Sequence, residues 1–370
     1  MKYCIVFLFL SVFSAYELKA QEIDLLSDEL TSSYSTEEVG DNTKDTEKSG
    51  AVYSYIIKPI VNFFNSDEEI IREDGKKETY LERSIRQANE GNVEDQKNLA
   101  YLYLYGSEGV EQNLAEAFKY YDMAAKQDDP IALNNLGSLY FSGLGTKKDT
   151  KKALQYFERA AQLGNDSAAV NLAFINLQGG FNDMQRNKKA IDLFDMASQK
   201  GNKIAKFMLG YAYYKGFIVP QDYIKAFKLV NSSAQGDARI DEAQIVLADM
   251  YTNGYGTVQN YGRAISAYRA AVGQGNLEAI MKLANIYEEG TICPPNLIHA
   301  HALYNVAAAQ NIAGAAEKRE KIKSKLNQET LPQAQEIAQN YKAEVSELTD
   351  YIRKTYGNNI RSYIDKNMKK

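Results

Sequence analysis

Tryptophan is absent from this chain of 370 residues, and cysteine and histidine occur only twice each. Cys4 and Cys293 cannot build a disulfide framework. His299 and His301 confine any histidine acid–base role to one short segment. They do not space like zinc ligands with Cys293, because they flank Ala300 in a helical stretch and side chains two apart on a helix point to opposite sides. Charge of one sign is lacking too: 43 basic against 48 acidic residues leave −5 overall. A nucleic-acid binder would need a concentrated basic face. No phosphate-loop Gly-Lys-Ser/Thr, no Ser-x-x-Lys, no Gly-x-Ser-x-Gly and no isolated carboxylate pair is present. These absences predict no catalytic residue, metal or cofactor, and they disfavour an enzyme such as a cell-wall hydrolase.

Long apolar runs are also missing, except at the start. Lys2 precedes an apolar run from Cys4 to Phe13, and small residues follow at Ser14, Ala15 and Ala20. The pattern is that of a signal peptide over 1–20, cleaved after Ala20 or, as a second choice, Ala15; retention as an anchor is the alternative. No later stretch approaches the roughly eighteen apolar residues of a membrane span. The expected product is exported, periplasmic or secreted from a bacterium, with no membrane span after cleavage. Residues 21–50 are acidic and rich in Ser and Thr, and are expected to be a disordered leader. Val52 to Phe64 is apolar and aromatic. It either folds back as an N-terminal cap or, through residues such as Phe63 and Phe64, docks a partner or a membrane surface. Thr79 to Gly91 then reads as a lone capping half-repeat, closing a segment over 51–91.

What the chain has in abundance is repetition. Leu99-Ala100, Leu136-Gly137, Leu172-Ala173, Leu209-Gly210, Leu247-Ala248 and Leu283-Ala284 follow one another at 37, 36, 37, 38 and 36 residues. A second ladder of small pairs, from Ala124-Ala125 to Ala307-Ala308, keeps step at 36, 37, 36, 38 and 36. Two ladders in phase over six copies define the repeat. Each copy spells two helices. Ala132, Leu136, Gly137 and Tyr140 share one face of the first, and Ala153, Tyr156, Phe157, Ala160 and Ala161 one face of the second. Gly143-x-Gly145 and Gly254-x-Gly256 suit the turn between them. Asn113, Asp149, Asp222, Asn260 and Asn296 stand where a cap of the second helix belongs. In the third copy Arg186 takes that place, and a looser loop from Gly179 to Asn187 is expected.

The pattern A-x-x-x-L-G-x-x-Y-x-x-G-x-G, then D/N and A-x-x-Y-Y-x-x-A-A-x-x-G, resembles the Sel-1-like repeat. It spans 92–312 in about six copies. The resemblance implies an all-α fold, a right-handed α-solenoid of antiparallel helix pairs whose concave face commonly binds other proteins. It also implies C-terminal capping helices over 313–348. The expected function is therefore an exported protein-interaction scaffold with a protein partner whose identity and stoichiometry the residues do not name. A periplasmic regulator of a sensor kinase, or a host-interaction factor, is a narrower version of the same reading.

Two features stand outside the consensus. Tyr101, Tyr105, Tyr211 and Tyr214 lie off the repeat's usual aromatic positions and are candidate partner anchors, since tyrosine offers a large contact with few rotatable bonds. Residues 349–370 form a basic helical tail with Ile352, Tyr356, Ile360, Tyr363 and Ile364 among Arg353, Lys354, Arg361 and Lys366. It reads as a charged, solvated helix or as an electrostatic contact with an acidic partner.

Overall fold

The structure is a computed structural model and describes residues 70–71, 76–106, 110–178, 183–236 and 239–368. The signal segment, the acidic leader and the Val52–Phe64 stretch, with Phe63 and Phe64, lie outside the described residues.

Two short strands, β1 (Ile70–Ile71) and β2 (Lys77–Glu78), pair antiparallel. Helix α1 (Tyr80–Asn89) follows, opened by a capping box in which Thr79 and Glu82 satisfy each other's backbone N–H. Six helix pairs come next. They are α2 (Val93–Tyr105) with α3 (Leu114–Ala125), α4 (Pro130–Ser142) with α5 (Thr150–Gln162), and α6 (Asp166–Gln178) with α7 (Met184–Gln199). Then follow α8 (Lys203–Lys215) with α9 (Tyr223–Ser233), α10 (Asp241–Asn253) with α11 (Tyr261–Gly273), and α12 (Leu277–Glu289) with α13 (Leu297–Ala309). The chain closes with α14 (Ala315–Lys323), α15 (Thr330–Gln339), α16 (Glu347–Tyr356) and α17 (Ser362–Met368). The fold is an all-α solenoid of helix pairs. It divides into two compact units, with the division between Leu172 and Ala173.

The two sequence ladders are the packing seams. Leu99, Leu136, Leu172, Leu209, Leu247 and Leu283 are all buried, as are Ala124, Ala160, Ala197, Ala271 and Ala307. Small residues let the helices of a pair approach closely. A Cβ on Gly137 would come within 2.9 Å of the Phe157 ring, and one on Gly210 within 2.9 Å of Leu229 Cβ.

Helix starts follow the expected caps. Asp149 Oδ1 accepts from Lys152 N at 3.0 Å, Asp222 from Lys225 N at 2.9 Å and Asn260 from Arg263 N at 2.9 Å. Asn113 and Asn296 do the same for α3 and α13. The third copy differs from expectation. Asp183 caps α7 through Gln185 N and Arg186 N, so the helix begins at Met184 and Arg186 and Asn187 are already inside it. The first helices carry a second set of caps that the sequence pattern passed over: Asn92, Asp129, Asn165, Asn202 and Asn276. Each directly follows the positive-φ residue that ends the preceding helix, namely Gly91, Asp128, Gly164, Gly201 and Gly275.

Only α10 breaks this rule. Its N-cap position is Ile240, which offers no side-chain acceptor.

Candidate interaction surface

The residues after α15 decide what the second unit presents. Lys342 to Val345 are exposed and form an extended link, held by Tyr341 Oη donating to Val272 O at 2.7 Å and Glu344 N donating to Gly273 O at 2.7 Å. The chain then lies against the first helices of successive repeats, α6, α8, α10 and α12. The tail is not a solvated helix. Leu348, Ile352, Ile360 and Ile364 are each at most 2 % exposed, and Tyr356 is 7 % exposed. Nor is it one helix: Gly357, at φ 86°, breaks it into α16 and α17.

Three polar anchors fix its register. At the start of α10, Asp241 N donates to Thr349 Oγ1 at 3.0 Å, and Thr349 Oγ1 donates to Arg239 O at 3.0 Å. Thr349 is fully buried and supplies, from 108 residues away, the cap that Ile240 cannot. Arg353 Nη2 donates to Asp241 Oδ2 at 2.6 Å, and Asn276 Nδ2 donates to the same oxygen at 2.7 Å. Arg361 is the third anchor. Its Nε donates to Glu242 Oε2 at 2.8 Å, its Nη2 reaches Glu278 Oε2, and the Ile360 amide donates to Glu242 Oε1 at 2.7 Å.

Glu242 and its partner are both enclosed, with side chains 3 % and 11 % exposed. Burial pushes the Glu242 carboxyl up to about 7; the guanidinium of Arg361 opposes that rise and neighbouring Asp241 adds to it. Glu278 is less enclosed, and its carboxyl is held below the ordinary range against burial by Arg361 and Lys282.

Aromatic contacts complete the surface. The Tyr356 and Tyr363 rings lie 4.0 and 4.9 Å from Phe174, which itself meets Phe194 edge-on at 5.3 Å. Tyr211 Oη donates to Asp365 Oδ1 at 2.7 Å, and the Arg361 guanidinium sits 5.9 Å above the Tyr211 ring.

The four candidate tyrosines therefore divide. Tyr211 is only 3 % exposed, because the tail covers it; burial and the Asp365 carboxylate raise its hydroxyl pKa. Tyr214 is half-buried beside it, stacked at 6.0 Å, and burial pushes its hydroxyl up to about 12. In the first unit Tyr101 is buried and Tyr105 half-buried, with rings 4.7 Å apart and hydroxyls raised by burial. In the same unit Asn134 and Asn171 are enclosed too, Asn171 Nδ2 donating to Asn134 Oδ1 at 3.0 Å. Tyr101 and Tyr211 are thus enclosed residues and not open anchors.

His299 lies half-buried with its ring 5.6 Å from Tyr287, and His301 is buried at 2 % exposure on α13. Cys293 is half-buried in the turn before α13. Among the described residues no three His, Cys, Asp or Glu side chains are grouped to hold a metal. Among the same residues no helix is long and apolar enough to cross a membrane.

The Sel1 repeat model matches residues 93–129, 130–165, 166–202, 203–237, 241–276 and 277–312. The chain belongs to the Sel1 repeat family. Proteins of this family generally mediate protein–protein contacts and are generally non-catalytic. The six matches coincide with the six helix pairs, and the residues 238–240 between the fourth and fifth precede α10, which has no cap of its own. A solved Sel1 repeat protein from Oxalobacter formigenes is 26% identical and covers 62% of this chain and 99% of that one, at a TM-score of 0.53. Among curated relatives, protein sel-1 homolog 2 of Mus musculus is 34% identical over 94 residues, 25% of this chain and 14% of that protein. Chitin synthase regulatory factor 3 of Schizosaccharomyces pombe is 28% identical over 227 residues, 59% of this chain and 24% of that protein. The chain therefore spans a quarter or less of the length of either relative.

Proposed function

We propose that this Sel1 repeat protein is an exported scaffold that binds a partner protein through the face formed by the first helices of its repeats. One observation carries the reading. In the second unit that face already holds a peptide segment, through buried apolar side chains and paired charges, and the segment is the chain's own. A surface that orders one amphipathic segment has the chemistry to order another. Export rests on the first twenty residues, with Lys2, the Cys4–Phe13 run and Ala20 as the cleavage position. The periplasm and the extracellular medium are both consistent with it.

The test is capture from the envelope fraction with the exported full-length product, compared with a variant altered on the first-helix face, Tyr214→Ala with Glu278→Gln. A stable partner retained by the parent protein and lost by a folded variant is the expected result. Capture of nothing from any fraction, or capture indifferent to the face, sinks the proposal. Export is checked separately by the mass of the purified product, which should begin at Gln21.

A further inference from the structure

The segment on the second unit is chemically specific. Carboxylates recur at one repeat position, Glu242 in α10 and Glu278 in α12, 36 residues apart, and Arg361 bridges them. The corresponding residues of the second, third and fourth repeats are the uncharged Ile131, Ser167 and Ile204, and the first repeat has Glu94, paired locally with Lys97. Asp241 adds a third carboxylate, met by Arg353. Beside this acidic strip lies an aromatic shelf: Phe174 receives Tyr356 and Tyr363, and Tyr211, stacked on Tyr214, receives Asp365 and the Arg361 guanidinium.

Such a site discriminates by charge more than it stabilises. A buried ion pair contributes little net stability against the desolvation of its members, yet removing one member alone is strongly destabilising because it leaves a buried charge unpaired. A competing segment that brings its own arginine keeps the carboxylates paired throughout. The exposed link from Lys342 to Val345 leaves the resident segment able to depart without unpacking α12 to α15.

Resting on the scaffold reading above, we propose that this strip and shelf form a binding site for an arginine- and aromatic-bearing segment of another protein. Residues 346–368 occupy it in cis until such a segment displaces them. The ligand class is an amphipathic basic peptide, two short helical turns with an arginine between aromatic residues, as in Tyr356-x4-Arg361-x-Tyr363.

The probe is a fluorescein-labelled synthetic peptide of residues 346–368, titrated into the full chain and into its Arg361→Ala variant. Weakening the resident tail should raise affinity for the peptide at least tenfold, and a peptide carrying the same Arg361→Ala change should fail to bind. A folded variant that takes up no peptide overturns the proposal. Hydrogen exchange on the unaltered chain guards against a variant that does not fold. Excess unlabelled peptide should speed exchange of the chain's own 347–368 amides several-fold and leave α2 to α5 unchanged. Exchange of the tail as slow as that of α10 and α12, and indifferent to peptide, would make it a permanent part of the core and end the idea. Concentration-dependent dimers of Arg361→Ala with exchanged tails would assign the site to a second copy and equally overturn it. A second-unit face that takes a partner segment without an arginine would pass the capture test and fail this one, so the two readings fail separately.

Discussion

Gly256 has φ +70°, and a Cβ there would lie 1.9 Å from Tyr223 O at the start of α9. Gly145 repeats the geometry against Leu114 O at 2.1 Å. The second glycine of each Gly-x-Gly thus exists less for the turn than for the backbone of the preceding repeat pressed against it. Gly256→Ala should destabilise the second unit by about 2–4 kcal/mol, whereas Gly273→Ala, with nothing within 4 Å, should change stability by less than about 1 kcal/mol. Urea unfolding of the two variants decides between them. Ile218 occupies the same turn position in the fourth repeat at φ 62°, a conformation that a β-branched residue adopts only under strain. Ile218→Gly should therefore raise the urea midpoint, by a gain of up to about 1 kcal/mol once the extra freedom of glycine in the unfolded chain is offset.

Glu242 titrates where few carboxylates do. Its carboxyl lies near 7 in the fold and near 4.5 in the unfolded chain, so its contribution to stability is fully present below about pH 4.5 and is lost as pH rises through about 7. The expected drift is up to about 3 kcal/mol, one pKa unit being worth about 1.4 kcal/mol. Glu278, whose carboxyl is lowered, acts in a separate window below its ordinary value. Unfolding midpoints of the parent chain should fall between about pH 4.5 and 7, and Glu242→Gln should flatten that slope. An unchanged slope would place the titration elsewhere.

At the scale of the element, helix starts carry the regularity. Eleven of the twelve repeat helices open on an Asn or Asp that accepts from the backbone two or three residues on, α6 among them through Asn165. In α7 Asp183 moves the start forward by one turn, and in α10 the cap comes from Thr349. Asp149→Ala should cost about 1 kcal/mol, as ordinary caps do. Thr349→Val, nearly isosteric, should cost more, about 1–3 kcal/mol, because it also leaves the buried Asp241 N–H without its partner, while Arg239 O keeps the Ser346 hydroxyl. Comparing the two by chemical denaturation tests whether the remote cap is an integral bond of the fold.

At the scale of the whole molecule, helix pairs in repeat arrays draw stability chiefly from their neighbours. The tail departs from that nearest-neighbour rule, since it touches α6, α8, α10 and α12 at once. Loosening it by Arg361→Ala should lower hydrogen-exchange protection across these four helices and leave α2 to α5 as they were. A uniform loss across every helix would contradict this division of effects.

The period of the array, the pairing of helices, the caps of the second helices and the glycine turns are all legible in the chain, because each depends on residues within about forty positions of one another. Asp183 replaced Arg186 as the third cap for an equally local reason, an Asp followed by a helix-compatible run. The seat of the tail is different. Leu348, Ile352, Tyr356 and Ile360 recur every four residues and read as one amphipathic helix, but periodicity names a face without naming what covers it. The paired carboxylates at Glu242 and Glu278 and the missing cap at Ile240 were the available signals, and they acquire meaning only when a segment more than a hundred residues away is brought against them. Local periodicity determined the solenoid; charge pairing and burial across that distance, which only tertiary structure decides, turned the candidate anchor Tyr211 and the solvated tail of the sequence into buried surfaces packed on each other.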